Sequence, residues 1–383
     1  MTVEDKQKAW QDRYRNGFFL APMVRIGTLP MRLLSLKYGA DLVWTPEIVD
    51  LSIIGCERQV ISRTGVISYI KGGKDVFTTH PDEKEKVIFQ LGSAQPETAL
   101  AAAKIVEQDV SGFDLNCGCP KRFSVQGSMG AALLSDPDRL CSILETLVQN
   151  VSVPVTCKIR VFDDEEKTLE LVRRIAKTGI SALTVHCRTK NMRPREKALW
   201  HRLRSIVDEI PHLPVVLNGD IFKYEDIQRA KDLTGATSVM TARGAAANPS
   251  IFRSEGMIDT MEAVIEYAKL AVRTWNIYYN TKYTLLQMYP HTKSQQYVVV
   301  RNSKTYKALC ESLGLEEFYR EEGVNFAKIT TDVSDKDIKS TNTSPQQTPK
   351  KRCASSPEPL LLADGDRADN EFGSEAPAKR VKD

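Results

Sequence analysis

The feature that most constrains the fold is a regular alternation of short apolar runs with helical stretches between residues 18 and 250. The apolar runs are mostly continuous, as in parallel strands that are covered on both faces. There are eight of them, at 18–21, 41–44, 87–91, 113–116, 155–159, 182–186, 215–218 and 238–241. Eight strand-then-helix units over this length predict an α/β fold, a (β/α)8 TIM barrel, whose usual size is about 250 residues.

Helix start and stop residues lie between most of these runs. Asp136 and Pro137 form an N-cap followed by a first-turn proline, and Gly179 and Gly235 are typical helix ends. The predicted helices span 96–109, 136–150, 165–177 and 224–233. The alternative is an open doubly wound sheet. The GxGxxG motif that many such sheets carry after the first strand is absent, so the barrel is favoured.

The composition changes twice along the chain, which predicts the domain organisation. Residues 1–17 form an N-terminal extension and residues 18–250 the barrel domain, while 251–322 consist of helical stretches without strand-like runs and predict an all-α helical domain. Residues 323–383 are rich in Ser, Thr, Pro, Asp and Lys and have one short apolar run. Such a segment buries too little apolar surface to offset its ordering entropy, so a disordered C-terminal tail is predicted.

Composition excludes several classes of protein. No apolar run approaches the ~20 residues of a membrane span, and the N-terminus has no hydrophobic signal segment. The eight cysteines are scattered and contain no CxxC pair, which argues against a disulfide scaffold and a structural zinc site. The net charge of +4 says little about partners. We expect an intracellular monomer without a metal.

The residues at the predicted strand ends favour one kind of ligand. Lys158 and His186 are donors suited to a ring that becomes anionic, and Gln90 suits a pyrimidine-like edge. The loops 219–220 and 242–244, after strands seven and eight, lie where barrels frequently bind a phosphate. The strand ends offer no trio of carboxylates for a divalent metal. Together these residues predict a phosphorylated, electron-accepting cofactor, and flavin mononucleotide (FMN) fits.

Seven segments then carry a resemblance to a known family. They are APMVRIGTLPMR, DLNCGCP, GSMGAALL, TCKIR, TVHCR, NGDI and NPSIF. In this order they resemble the tRNA-dihydrouridine synthases, above all the eukaryotic type that acts on uridine 20 of the D-loop, and the similarity covers residues 18–319. The resemblance implies an FMN-containing barrel followed by a helical tRNA-binding domain. Nothing after residue 323 is suited to form the double-stranded-RNA-binding domain of the animal enzyme, so a fungal-like form is expected.

The resemblance also implies residue roles. Cys119, directly before Pro120, is the general acid, and Asn116 lies beside flavin and uracil. NADPH or NADH reduces FMN, flavin N5 delivers hydride to uracil C6, and Cys119 protonates C5. A thiol with a pKa near 8.5 is largely protonated at neutral pH and can serve as that acid. Arg188 joins Asn116 as a substrate-binding residue. The implied FMN contacts are Pro22, Met23, Val24, Gln90, Lys158, His186, Asn218, Gly219, Asp220, Ala242 and Arg243.

Two positions need separate expectations. Cys117 stands where the family leads us to expect methionine, and packing is its favoured role over that of a second acid. The carboxylate of Asp220 would repel a phosphate, so we expect only its backbone N–H to contribute to phosphate binding.

A stretch of the predicted helical domain is suited to RNA. From residue 268 to 310 there are seven basic residues and no acidic one, with tyrosines interleaved. Cations meet phosphates and aromatic faces accept bases, so we predict tRNA contacts at Arg273, Lys282 and Lys304. The alternative is a solvated helix surface over core aromatics. The target uridine must leave its stack to enter a barrel mouth.

Two other functions and one targeting hypothesis remain open. The first is another FMN-dependent barrel oxidoreductase of pyrimidines, similar to dihydroorotate dehydrogenase, and the second is a non-catalytic tRNA-binding protein. The basic-aromatic segment argues against the first, and the set of Gln90, Cys119, Lys158 and His186 argues against the second. Basic clusters at 349–352 and 377–382 indicate nuclear as well as cytoplasmic localisation.

Overall fold

Eight parallel strands close into a ring in the computed structural model, which describes residues 3–322. The ring runs through β1, β2, β7, β8, β9, β10, β11 and β12 and closes on β1, which confirms the predicted TIM barrel. In chain order the strands are β1 Phe18–Leu20, β2 Val43–Trp44, β3 Ile48–Val49, β4 Glu57–Val60, β5 Ile67–Lys71, β6 Lys74–Thr79, β7 Val87–Gly92, β8 Gly112–Cys117, β9 Val155–Arg160, β10 Ala182–His186, β11 Val215–Asn218 and β12 Ser238–Thr241.

A small aromatic cluster forms one of the buried cores of the barrel. Phe19 and Trp44 are fully buried with ring centroids 5.6 Å apart. Tyr14, from the N-terminal extension, is also fully buried and meets both rings edge-on. Ile88, Val216 and Met240 complete much of this cluster. Because these large side chains fill the space, this part of the barrel is a packed core.

Helices surround the barrel at the expected places. Asp136 accepts a hydrogen bond from the backbone N–H of Arg139 and so caps its helix, while Gly235 ends another in the left-handed conformation with φ +72°. The predicted helix at 96–109 ends earlier, at Val106, and passes into a 3₁₀ turn. The helices up to the end of the barrel are α1 Val3–Asp12, α2 Leu29–Lys37, α3 Asp50–Ile53, α4 Pro96–Val106, α5 Arg122–Gln126, α6 Pro137–Asn150, α7 Glu165–Ala176, α8 Leu203–Glu209, α9 Asp226–Thr234 and α10 Arg243–Ala247.

Between β3 and β7 the chain forms an insertion, the antiparallel sheet β4–β5–β6. A buried ion pair fastens it: the Arg32 guanidinium on α2 binds both carboxylate oxygens of Glu83 at 2.7 and 2.9 Å and also donates to the Thr78 carbonyl. Thr79 donates to the same carboxylate. A buried pair is favourable only when its remaining hydrogen bonds are satisfied, and these contacts provide that condition.

The remaining described residues are helical. They contain α11 Thr260–Arg273, α12 Tyr278–Met288, α13 Gln295–Asn302 and α14 Tyr306–Ser312, and α11 packs on α2 of the barrel. Tyr289 is buried, and the Tyr306 hydroxyl donates to the Asn276 carbonyl at 2.6 Å. Some aromatic residues of the proposed RNA-binding stretch are therefore core. Whether 251–322 is a separate domain stays a prediction.

Three expectations concern other parts of the chain or its surroundings. The predicted tail, 323–383, with its two basic clusters, lies outside the described residues. Within residues 3–322 no helix is long and apolar enough to cross a membrane. Over the same residues, no group of three or more His, Cys, Asp or Glu side chains is placed to hold a metal ion.

Candidate active site

The carboxyl ends of the barrel strands bring together most of the predicted site residues. A cleft there is lined by residues at or just after the ends of β9, β10, β11 and β12, including His186, Asn218 and Arg243. Arg188, Gly219, Asp220 and Ala242, which the sequence analysis also assigned to the site, line the same cleft. Pro22, Met23 and Val24 follow β1 at the same end of the barrel but do not line this cleft, and Val24 is 52% exposed.

A chain of buried side-chain amides connects the barrel interior to the loop of Cys119. The Asn116 carbonyl oxygen accepts the backbone N–H groups of Gly118 and Cys119, both at 3.0 Å. The Asn116 amide donates to Gln90 at 3.4 Å, and Gln90 donates to Asp114 at 2.8 Å. Asn116 therefore shapes the cysteine loop, and Gln90 ties it to the barrel.

Asp114 is a buried carboxylate that the sequence analysis missed. It lies on β8 with no exposed surface, and burial raises its pKa to about 6. Hydrogen bonds from Gln90 and Thr156, together with the charge of Lys158, oppose that rise. Its position in an apolar strand run made it look structural, although it supplies the negative charge beside Lys158.

His186 lines the cleft, and both His186 and the neighbouring Lys158 on β9 are surrounded by cations. Burial and the neighbouring Arg160 lower the pKa of Lys158 to about 8. Burial and the surrounding cations, Lys158 first, hold the pKa of His186 well below its ordinary value, so the imidazole is neutral. A guanidinium can only donate, so the 3.2 Å contact from Arg188 makes His186 Nε2 an acceptor. The ring proton is then on Nδ1.

Asp220 links two arginines at the predicted phosphate loop. Its carboxylate accepts from Arg188 at 2.5 Å, from Arg243 at 2.6 Å and from the backbone N–H of Ala198 at 2.7 Å. Asp220 has φ +60° and Gly219 φ +122°, and a Cβ at Gly219 would press on Ala198, Arg188 and His186. The carboxylate is thus neutralised inside the protein. That its backbone N–H binds a phosphate stays a prediction.

Arg188 is held by several contacts within the protein, and its predicted role in substrate binding stays a prediction. Its side chain is only 3% exposed, and its donors also reach the carbonyls of Glu196 and Pro194. Arg160, which was not assigned to the site, donates from Nε to the Gly118 carbonyl at 2.8 Å and from Nη1 to the Thr189 carbonyl at 3.0 Å. It holds the cysteine loop against the loop after β10.

Cys119 is half-buried, and burial raises the pKa of its thiol to about 11, with the negative charge of Glu47 adding to the rise. Ser124 donates to Glu47 Oε1 at 3.0 Å, and the carboxylate also interacts with the thiol and with Asn116. Sequence analysis missed Glu47. Its place three residues after β2, at a strand end, was the feature that could have identified it. Cys117 is fully buried with its sulfur 3.6 Å from that of Cys157, which agrees with packing.

The predicted RNA-contacting cations lie apart from the cleft. Arg273 ends α11, is exposed, and pairs with Glu322 at 3.1 Å. Lys282 is half-buried on α12 and donates to the Ser303 carbonyl, whereas Lys304 is exposed. Arg25 lies 4.2 Å from the centre of the Tyr283 ring, so it stacks on α12.

The comparison with known protein families identifies the chain. The family described as "Dihydrouridine synthase (Dus)" matches residues 19–343, most of the sequence. The chain belongs to the dihydrouridine synthase family.

Curated relatives agree with this membership. A tRNA-dihydrouridine(20) synthase [NAD(P)+] of Schizosaccharomyces pombe is 44% identical over 315 residues, which are 79% of this chain and 66% of that protein. The Saccharomyces cerevisiae protein of the same name is 40% identical over 299 residues, 72% of this chain and 78% of that protein. The chain thus spans just under two thirds of the S. pombe relative. Among solved structures, morphinone reductase is a remote likeness, with 13% identity, a TM-score of 0.41, and coverage of 62% of this chain and 84% of that one.

Proposed function

We propose that this chain is an FMN-dependent tRNA-dihydrouridine(20) synthase that reduces the C5=C6 bond of a D-loop uridine with NADPH or NADH. The names of its relatives from two yeasts give the reaction and the uridine position. The observation that carries the proposal is the placement of Cys119 on a loop that is held by Asn116 and by Arg160, and Arg160 itself lines the cation-rich cleft of the barrel. Reduction of a pyrimidine double bond needs an acid and a hydride source at one base.

The residues of the cleft fit FMN. Four cations, Lys158, Arg160, Arg188 and Arg243, act electrostatically on His186, with Asp220 and Asp114 as the neighbouring carboxylates, so the cleft favours an anionic ligand. Arg243, Ala242 and the 218–220 loop would hold the phosphate, and Gln90, Lys158 and His186 the ring. Gly219 keeps the cleft open where a side chain would press on His186. FMN reduced by a nicotinamide cofactor would supply hydride to uracil C6.

The chain's own residues account for the proton. With a pKa of about 11, the Cys119 thiol remains protonated at neutral pH and gives its proton to uracil C5. Asn116 accepts hydrogen bonds from the backbone N–H groups of Gly118 and Cys119, which fixes this loop and so aims the thiol. His186 is neutral and, with its proton on Nδ1, can donate a hydrogen bond into the site without adding charge.

The helical segment would bind the tRNA. We propose phosphate contacts at the exposed Arg273 and Lys304 and at the half-buried Lys282, with a further contact near Arg25 on Tyr283. Tyr279 is 72% exposed on the same helices and offers a face for a base. A surface of this kind is needed for a macromolecular substrate and not for a free pyrimidine.

An anaerobic reaction tests the proposal. The purified protein is reduced with NADPH, and unmodified tRNA, free uridine or orotate is added while the flavin absorbance is followed. We expect rapid reoxidation by tRNA alone, with dihydrouridine at position 20 by mass spectrometry. Reoxidation by orotate but not tRNA would replace the proposal with a small-molecule dehydrogenase. A protein without flavin that binds tRNA would replace it with a binding protein.

A further inference from the structure

The Cys119 thiol lies between charges of opposite sign. Lys158 and Arg160 interact electrostatically with the thiol from β9, and both favour the thiolate. Glu47 approaches from the loop after β2 and favours the thiol. A cleft that attracts an anionic cofactor therefore also promotes ionisation of a cysteine at its edge, and a thiolate cannot donate a proton.

The Glu47 carboxylate occupies a specific binding position formed by three neighbouring residues. Ser124 on α5 donates to Oε1 at 3.0 Å. Gly92, at the end of β7, leaves the space that the carboxylate occupies, since a Cβ there would lie 2.7 Å from Oε1. A Cβ at Gly130 would collide with the Ser124 hydroxyl and the Cys119 carbonyl, so this glycine allows Ser124 and Cys119 to approach each other. The two glycines and Ser124 thus fix the Glu47 carboxylate beside the Cys119 thiol.

The second oxygen of the Glu47 carboxylate also points to an interaction with Cys119. Oε2 of Glu47 is buried and has no hydrogen-bond partner of ordinary length among the described residues. A buried acceptor without a partner is costly unless a nearby donor serves it. The thiol of Cys119 and the amide of Asn116 are the groups that interact with this carboxylate besides Ser124.

We infer that Glu47 is a positioning residue that keeps Cys119 in its protonated, acid form against the cations of the cofactor cleft. The inference deepens the proposed function, because it concerns the proton donor of that reaction. Glu47 does not need to touch the uracil. Its carboxylate favours the protonated thiol until the S–H bond breaks and the proton passes to uracil C5. The thiolate left behind then takes up a proton from solvent.

Alkylation of Cys119 tests this inference without tRNA or NADPH. The full chain with its bound flavin is treated with iodoacetamide between pH 6 and 10.5, and modification of the Cys119 peptide is followed by mass spectrometry. In Glu47→Gln we expect the reaction to rise at a pH lower by about one unit, since a neighbouring negative charge is removed. Cys56, which is half-buried elsewhere, is the internal reference and should not shift.

Two variants serve as matched controls. Glu47→Asp keeps the charge and should remain nearer to wild type than Glu47→Gln does. Asp75, like Glu47, lines a second cleft, which lies between the insertion and the α11–α12 loop, but its carboxylate accepts a hydrogen bond from Ser68. Asp75→Asn should therefore leave the Cys119 profile unchanged.

An unshifted Cys119 profile in Glu47→Gln would overturn the inference, as would an equal shift in Asp75→Asn. Retained flavin in each variant shows that the cleft is folded. Because the readout is thiol ionisation, it remains decisive even if the protein does not act on tRNA, so failure of the proposed function and failure of this inference are distinguishable.

Discussion

The cations of the barrel cleft and those of the helical segment differ in their surroundings. Lys158 and Arg160 are desolvated beside other cations, and the pKa of each is lowered. Lys304 is exposed to water, and Arg273 is exposed with Glu322 beside it. An anion that enters the cleft relieves repulsion among buried charges, whereas an anion on the helices competes with water and salt. The same residue types are therefore suited to different tasks, tight cofactor binding in one place and salt-dependent RNA contact in the other.

The largest effect is expected when the chemistry in the cleft is removed. Cys119→Ala should lower dihydrouridine formation by about 10²-fold or more, since it deletes the proposed general acid. Flavin content and NADPH oxidation should be retained, because none of the cations proposed to hold the cofactor is changed. Cys56→Ala is the control and should behave as wild type in a mass-spectrometric assay of tRNA. Normal product rates in Cys119→Ala would remove Cys119 from the mechanism.

A second prediction tests whether the cleft's positive charge depends on pH. The pKa of Lys158 is lowered to about 8, so in the cofactor-free protein the lysine is charged below that pH and loses its charge above it. FMN affinity should therefore fall as pH rises through 8, by up to about tenfold per pH unit. Lys158→Met should bind FMN more weakly at pH 7 and lack this dependence, as measured by fluorescence titration.

The control for that titration is Lys190→Met, an exposed lysine after β10. It should keep both the affinity and the pH dependence of the wild type. A wild-type affinity that stays flat from pH 7 to 9.5 would contradict the role given to the desolvated lysine.

A smaller effect is expected on the helices. Neutralising Arg273, Lys282 and Lys304 together should weaken tRNA binding and reduce the slope of log affinity against log salt by about 0.7–0.9 for each phosphate that the protein no longer neutralises. Flavin should remain bound. Because Arg273 pairs with Glu322 and Lys282 with the Ser303 carbonyl, we expect Lys304 to contribute most of the change.

The matched control neutralises Lys104, Lys177 and Arg204, three exposed cations in the region of α4, α7 and α8. Binding assays over a range of salt concentrations should separate the two triple variants. If both weaken tRNA binding equally, the helical segment has no special role. If neither does, RNA binding lies elsewhere.

The smallest effect on catalysis is expected for the tail. We propose that the basic clusters at 349–352 and 377–382 direct nuclear entry alongside cytoplasmic residence. Deleting residues 349–383 should shift a tagged protein toward the cytoplasm, as seen by fluorescence microscopy. The reaction rate should stay within about twofold, because the deletion changes neither the cations of the barrel cleft nor those of the helical segment. An unchanged distribution would contradict the targeting role.

Much of the fold followed from the sequence because buried parallel strands leave continuous apolar runs, as at β7 and β11. The insertion could not be predicted in this way. Its first strand, β4, is Glu-Arg-Gln-Val and is exposed throughout, so β4 has no buried face to produce a pattern. At the site, strand-end position identified Lys158 and His186. Strand-end position could also have marked Glu47, but its relation to Cys119 could not be predicted, because that relation depends on how the loops after β2 and β8 approach each other in space.

The most direct test of the division between the two basic regions is the rate of dihydrouridine formation as a function of tRNA concentration. It compares the wild type, Cys119→Ala and the Arg273, Lys282 and Lys304 triple variant at one salt concentration. We predict that the triple variant reaches the wild-type maximal rate at a higher tRNA concentration, while Cys119→Ala remains near zero at every concentration. A triple variant with a lowered maximal rate and unchanged half-saturation, or a Cys119→Ala protein that recovers at high tRNA, would contradict this account.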